Sequence, residues 1–179
     1  MVDRSYRQRI ETLHRELNIP SDYVSRWGLK IQPEAPTVVV ADRSPDGEEI
    51  LLTPDATKRW KIIKTAANDD GIHLHLESGF RSVNDQADLI RSQLRLGETI
   101  GDLLTWIAAP GHSEHHTGRA LDIGSENCYP VDVTFKSTDA YRWLQNHRDV
   151  FDISLSYPQD NPNKIIFEPW HWLLTHGPH

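Results

Sequence analysis

Cysteine is almost missing from this chain of 179 residues, and the single Cys128 cannot close an internal disulfide. No disulfide framework therefore supports the fold, and the cysteine count gives no argument for an oxidising compartment. The plain reading of Cys128 is an ordinary packed or surface thiol. Long apolar runs are missing too: nothing approaches the roughly 20 residues that a membrane-spanning helix needs. The opening Met1-Val2-Asp3-Arg4-Ser5-Tyr6-Arg7 leads into a charged, helix-like segment without the apolar stretch of a secretory signal, so the expected location is cytoplasmic. Positive charge is in deficit, with 19 Lys and Arg against 26 Asp and Glu and a net charge of −7. The basic residues are scattered rather than grouped into a stripe, which argues against nucleic acid as a partner. Single arginines can still hold the anionic end of a peptide, because local geometry decides that contact.

What is present suits one domain with a sizeable core. The expected organisation is a single domain over 1–179, with residues 1–57 as a helical and hairpin extension and 58–176 as the core. Tyr6, Ile10, Leu13 and Leu17 follow helical spacing up to Pro20. Ser21 is placed to cap a second short turn containing Tyr23, Val24 and Trp27. Thr37–Ala41 and Ile50–Leu52 read as two strands of a hairpin around Ser44-Pro45-Asp46-Gly47. Thr53-Pro54-Asp55 starts a helix that runs to about Asp70, with Gly71 as its stop. His73 to Glu77 alternates like a half-buried strand, and the pair His73 and His75 has no third ligand nearby in the sequence. Helices are predicted over 84–96, 100–107 and 137–150, and strands over 119–124, 151–155, 164–167 and 170–174. Strands and helices come in clusters without regular alternation, so the fold class is α+β.

The chemistry lies in two stretches: Ser113-Glu114-His115-His116-Thr117-Gly118-Arg119-Ala120-Leu121-Asp122, and Glu168-Pro169-Trp170-His171. A catalytic zinc takes three protein ligands of N or O type and leaves a fourth position to water, a demand that His115, Asp122 and His171 meet. Glu168 is then spare for proton transfer. Residues three apart on a strand face opposite ways, so Glu168 and His171 serve one centre only if Pro169 interrupts the strand. His115 and Asp122 converge only if Gly118 lets the backbone turn sharply. His112, His147, His176 and His179 have no motif around them.

These stretches resemble the signature S-x-H-x-x-G-x-A-x-D followed by E-x-x-H of the zinc D-Ala-D-Ala metallopeptidases, the group that includes lysostaphin and the sonic hedgehog fold. Ser78-Gly79-Phe80-Arg81-Ser82 is similar to that family's S-G-[YF]-R-S, and the three motifs span residues 78 to 172. The resemblance implies an antiparallel central sheet packed by helices and one zinc per chain. It also implies a substrate drawn from peptidoglycan stem peptides or muropeptides. Carried over residue by residue, it makes Glu168 the general base and acid, with a salt bridge or metal ligation as the alternative. Arg81 becomes the group that steadies an oxyanion or a substrate carboxylate. Ser78 and Ser113 fall at the substrate's end. His116, where many members have glutamine, becomes a pocket-lining variant. Tyr157-Pro158 resembles the family's R-Y-P with Ser156 in the arginine position, and Trp170 either walls the cleft or packs in the core. The implied activity is removal of a terminal D-alanine by an L,D- or D,D-carboxypeptidase. The alternatives are a phage-type L-Ala-D-Glu endopeptidase and a non-catalytic zinc module.

Overall fold

The computed structural model describes residues 3–126 and 128–175. Met1 and Val2 of the segment read for an export signal, residue 176 at the expected end of the catalytic core, and His176 and His179 lie outside these. Helices α1 (Arg4–Glu16) and α2 (Tyr23–Trp27) come first, followed by the hairpin β1 (Val39–Arg43) and β2 (Glu49–Leu52) and then helix α3 (Pro54–Asp69). Strand β3 (Leu74–Ser78), α4 (Val83–Arg95), α5 (Ile100–Leu103) and β4 (Ala120–Ser125) lead to α6 (Asp139–Phe151), β5 (Ile153–Leu155) and β6 (His171–Leu174). The larger sheet has the order β3-β4-β6-β5 with every neighbouring pair antiparallel. This is the α+β class read from the clustering of elements, with the antiparallel central sheet that the resemblance implies.

Local chemistry explains the boundaries. Thr53 accepts a hydrogen bond from the Ala56 N–H through its side chain, and Pro54 occupies the first helical position of α3, where its missing donor costs nothing. Ser82 and Asp85 form a reciprocal capping box at the start of α4. At α2 the cap differs from expectation: Asp22 rather than Ser21 precedes the helix, with no side-chain cap bond. The apolar face of α3, with Trp60 and Ile63 fully buried, packs with Phe135, α6 and the sheet residues Leu121, Ile123 and Trp172. A second cluster joins Ile10, Leu13, Tyr23 and Trp27 of the N-terminal helices to Val83, Ala87 and Ile90 of α4.

Two predicted elements change. The segment 164–167 forms no strand; it is tied down by single bonds, Ile166 N–H to the Thr105 carbonyl and Asn161 Nδ2 to the Ile165 carbonyl. Lys164 sits at φ 56° between Pro162 and Pro169, and that left-handed residue breaks the extended geometry a ladder requires. The helix predicted over 100–107 ends at Leu103 and continues as turns. His73 pairs with the Asn68 side chain and His75 with Glu77. No described helix is long and apolar enough to cross a membrane.

The N-terminal helices grip the segment that runs into the main motif. Trp27 Nε1 donates to the Leu104 carbonyl, Tyr23 Oη accepts from Ala109 N–H, His14 Nε2 meets the Pro110 carbonyl and His112 Nδ1 the Leu29 carbonyl. Burial, followed by the neighbouring His14, holds His112 down to about 4 against the pull of the Leu29 and Lys30 carbonyls. Its folded pKa thus lies below the unfolded value of about 6.5, so its neutral form contributes stability above that value, lost as pH falls toward 4. The stability advantage of wild type over His112→Gln is expected to shrink by about 2 kcal/mol between pH 7 and pH 4.5 in urea titrations. A difference independent of pH would contradict this.

Candidate metal centre and cleft

Sheet register assembles the site. Ser78 of β3 lies opposite Asp122 of β4, and Asp122 lies opposite His171 of β6, so three motifs distant in sequence end on one row across the sheet. A register irregularity between Leu76 and Ser78 brings Ser78 into that row. His115 comes from a short 3-10 turn, Glu114–Thr117, that precedes β4. Gly118 ends this turn at φ 62°, its N–H donating to the His115 carbonyl and its carbonyl accepting from Thr53 N–H. A side chain there would be strained and would crowd Thr53. The turn expected at Gly118 is present.

Candidate ligand atoms of His115, Asp122 and His171 lie within 4.8 Å of one another, and all three residues are buried. His115 Nε2 is 3.2 Å from Asp122 Oδ2, and His171 Nδ1 is 2.9 Å from Asp122 Oδ1. His115 Nδ1 donates to the Gly79 carbonyl at 2.6 Å; a carbonyl only accepts, so the lone pair of the neutral ring is left on Nε2, on the side of Asp122. Gly79 is needed because a Cβ there would meet the Leu51 carbonyl oxygen at 2.5 Å. Pro169 and Trp170 form a turn before β6, with the His171 N–H bonded to the Glu168 carbonyl. Glu168 therefore stands off the strand and its carboxylate comes to 4.0 Å from His171 Nδ1.

The centre is crowded with ionisable groups that shift one another. Burial opposes ionisation of Asp122, yet His115 and His171 hold it far below the usual carboxylate range. Burial likewise disfavours a charged His171, but the Asp122 and Glu114 carboxylates outweigh it and push the ring up to about 10. Glu168 goes the other way: burial pushes it up to about 8, with Asp122 and Glu114 adding to the rise and His171 and Arg81 opposing it. Two buried carboxyl groups, Asp122 and Glu168, and the half-buried Glu114 surround two imidazoles, a setting that a bound cation would stabilise. Two nitrogens and one oxygen facing each other are a donor set that suits zinc.

A cavity of about 390 Å³ opens over the centre, with Ser78, Arg81, Ser113, Tyr157, Glu168 and Trp170 on its lining. Arg81 spends part of its fork of donors on Gln86 Oε1 at 2.9 Å and Ser78 Oγ at 3.2 Å, leaving the rest for a ligand. Gln86, fully buried, passes the restraint on by donating to the Ala108 carbonyl. The Tyr157 ring lies 5.1 Å from that of His171. The outer walls are apolar, with Trp106 and Ile166 partly open to solvent.

His116 corrects the sequence reading. It is fully enclosed, does not line the cavity, and spends both ring nitrogens on backbone: Nε2 accepts from Gly111 N–H and Nδ1 donates to the Arg81 carbonyl. It pins two loops together and leaves no nitrogen for a ligand. Glu114 and Gln86 were not singled out from the sequence. Glu114 fills a variable position of the motif, and its carboxylate accepts from Ser156 Oγ at 2.5 Å while facing His171 Nε2 at 3.0 Å. The same bond gives Ser156 a role. Gln86 carries no signal beyond its place on the buried face of α4.

An antiparallel sheet carrying a His-Asp-His cluster beside a free glutamate is the frame of a metallopeptidase. The chain belongs to the VanY family of D-alanyl-D-alanine carboxypeptidases, whose sequence model matches residues 49–176. It is similar to the putative carboxypeptidase YodJ of Bacillus subtilis (strain 168), 29% identical over 170 residues, covering 90% of this chain and 62% of that protein. It is also similar to the bifunctional D-Ala-D-Ala dipeptidase and D-Ala-D-Ala carboxypeptidase VanXYC of Enterococcus gallinarum, 27% identical over 156 residues, covering 84% of this chain and 80% of that one. Among solved structures, the LdcB LD-carboxypeptidase superposes with a TM-score of 0.70 at 28% identity, over 80% of this chain and 70% of that one. VanYB in complex with D-alanine-D-alanine gives 0.60 at 25% identity, over 80% and 79%. The chain thus spans about three fifths of the first relative's length.

Proposed function

We propose that the protein is a zinc-dependent carboxypeptidase that removes a terminal D-alanine from peptidoglycan stem peptides, with His115, Asp122 and His171 as the zinc ligands. The observation that carries this reading is Glu168, a buried carboxylate on the cavity wall that accepts no hydrogen bond from the described residues and stands 4.0 Å from a candidate ligand. A closed structural metal site has no use for such a group, which weighs against a non-catalytic module. Zinc, when bound, acidifies water and polarises a carbonyl oxygen. Glu168 takes the proton of the attacking water on its carboxylate and returns it to the departing amine nitrogen. Having no hydrogen bond to give up, it is free to do both. Arg81, held at two points, offers its remaining N–H groups to the substrate's carboxylate or developing oxyanion. The Ser113 hydroxyl, which accepts a long bond from His115 N–H, keeps its own proton for the same oxygens.

The apolar walls at Trp106, Ile166 and Trp170 suit the methyl groups of D-alanine and shield the reacting atoms from bulk water. The residues described from 3 to 175 act as one peptidase domain, the N-terminal helices bracing the wall around 104–110 through the bonds of Tyr23, Trp27 and His14. The support for D-alanine as the released residue comes from the relatives that act on D-Ala-D-Ala and from the LD-carboxypeptidase likeness.

The test compares tetrapeptide and pentapeptide substrates whose terminal D-alanine carries either a free carboxylate or an amide. Loss of a charge-assisted hydrogen bond costs about 1.5–3 kcal/mol, so kcat/KM is expected to fall roughly ten- to two-hundred-fold on amidation. The preferred length separates L,D- from D,D-activity. Equal rates on free and amidated forms would instead support an endopeptidase.

A further inference from the structure

Glu114 stands just outside the candidate metal centre, and its role does not follow from the reaction. It does not line the cavity, so it has no route to substrate, and it is not one of the grouped ligand atoms. Its side chain is nevertheless 17% exposed only, and its carboxylate is committed to two partners, His171 Nε2 and Ser156 Oγ.

A neutral imidazole carries one N–H and one lone pair, so whichever nitrogen donates decides which one can bind a metal. For His115 the Gly79 carbonyl makes that choice by accepting from Nδ1. For His171 the nitrogen toward the centre is Nδ1, beside Asp122, and the nitrogen turned away is Nε2, beside Glu114. We propose that Glu114 is a positioning residue that accepts the His171 Nε2 proton, leaving the Nδ1 lone pair to the metal, and that Ser156 clamps the Glu114 carboxylate in place. The inference rests on His171 being a ligand.

Ser156 occupies the position where the family resemblance has arginine. A hydroxyl fixes the carboxylate through one hydrogen bond without neutralising it, so the full charge of Glu114 faces His171, where an arginine would share it. A charged acceptor behind a ligating histidine raises its basicity as well as fixing its orientation.

The measurement is the zinc dissociation constant of the full chain, by competition with a chromophoric chelator, for wild type, Glu114→Ala, Glu114→Gln, Ser156→Ala and His171→Ala. The wild type and His171→Ala test the assignment of the ligand; the other three test the inference. Glu114→Ala is expected to weaken zinc by about ten- to a hundred-fold, the usual effect of removing such a partner. Glu114→Gln keeps a carbonyl oxygen for the Nε2 proton and is expected to recover at least half of that loss on a logarithmic scale. Ser156→Ala is expected to weaken zinc by roughly three- to tenfold, a share of one charge-assisted hydrogen bond. Unchanged affinity in Glu114→Ala, or a glutamine variant no better than alanine, would overturn the proposal. If Glu114→Ala does not fold, Ser156→Ala decides, and wild-type affinity in that variant overturns it.

Discussion

Replacing Glu168 with alanine is expected to lower kcat by about two to four powers of ten while zinc stays bound, the scale on which a positioned general base and acid contributes. The expectation rests on three features of the site. Glu168 stands off β6 because Pro169 and Trp170 turn the chain before the strand begins. It lines the cavity beside the candidate ligands, and its carboxylate accepts no hydrogen bond from the described residues, so truncating the side chain leaves no donor orphaned. The variant is therefore expected to fold and to bind zinc as the wild type does, with the loss concentrated in kcat rather than KM. Steady-state kinetics on the preferred stem peptide, paired with zinc content by atomic absorption, checks both halves. A zinc-replete variant with near-normal kcat would move the proton transfer to another group.

The second large effect concerns the centre itself. His171→Ala is expected to lose most of its bound zinc and with it all measurable turnover. His171 supplies one of only two nitrogens in the grouped ligand set, and removing it leaves Asp122 and Glu114 facing each other without an intervening partner. Buried carboxylates stripped of a cationic neighbour cost several kcal/mol, so the zinc-free variant is also expected to be less stable than zinc-free wild type. Metal analysis after gel filtration, together with a thermal melt in chelator, reads the two consequences separately. Undiminished zinc would remove His171 from the ligand set.

Much of this centre was legible in the linear chain because its parts are local. The glycine between His115 and Asp122 marks a turn, and the proline between Glu168 and His171 marks a break; both lie where the backbone requires them. Helix α3 announces itself through Thr53 and Pro54, and α4 through Ser82 and Asp85. Segment 164–167 misled for a local reason as well: its isoleucines and phenylalanine look like a strand, but Lys164 adopts a left-handed conformation between two prolines. The apolar residues there pack without a ladder, Ile165 in the second core and Ile166 at the mouth of the cleft.

The kinds of donor, their spacing within each motif and the α+β class are set locally along the chain, since capping, turn chemistry and hydrophobic period act over a few residues. The tertiary structure alone decided which nitrogen of each histidine faces the centre. Gly79 sets that choice for His115, and Glu114 faces the outer nitrogen of His171. It also turned His116 away from the cavity to hold Gly111 and Arg81, and it placed Gln86 behind the arginine. Those contacts depend on strand register and helix packing between segments tens of residues apart. Nothing in the local spacing of a chain specifies them; they follow only when the sheet has paired and the cores have closed.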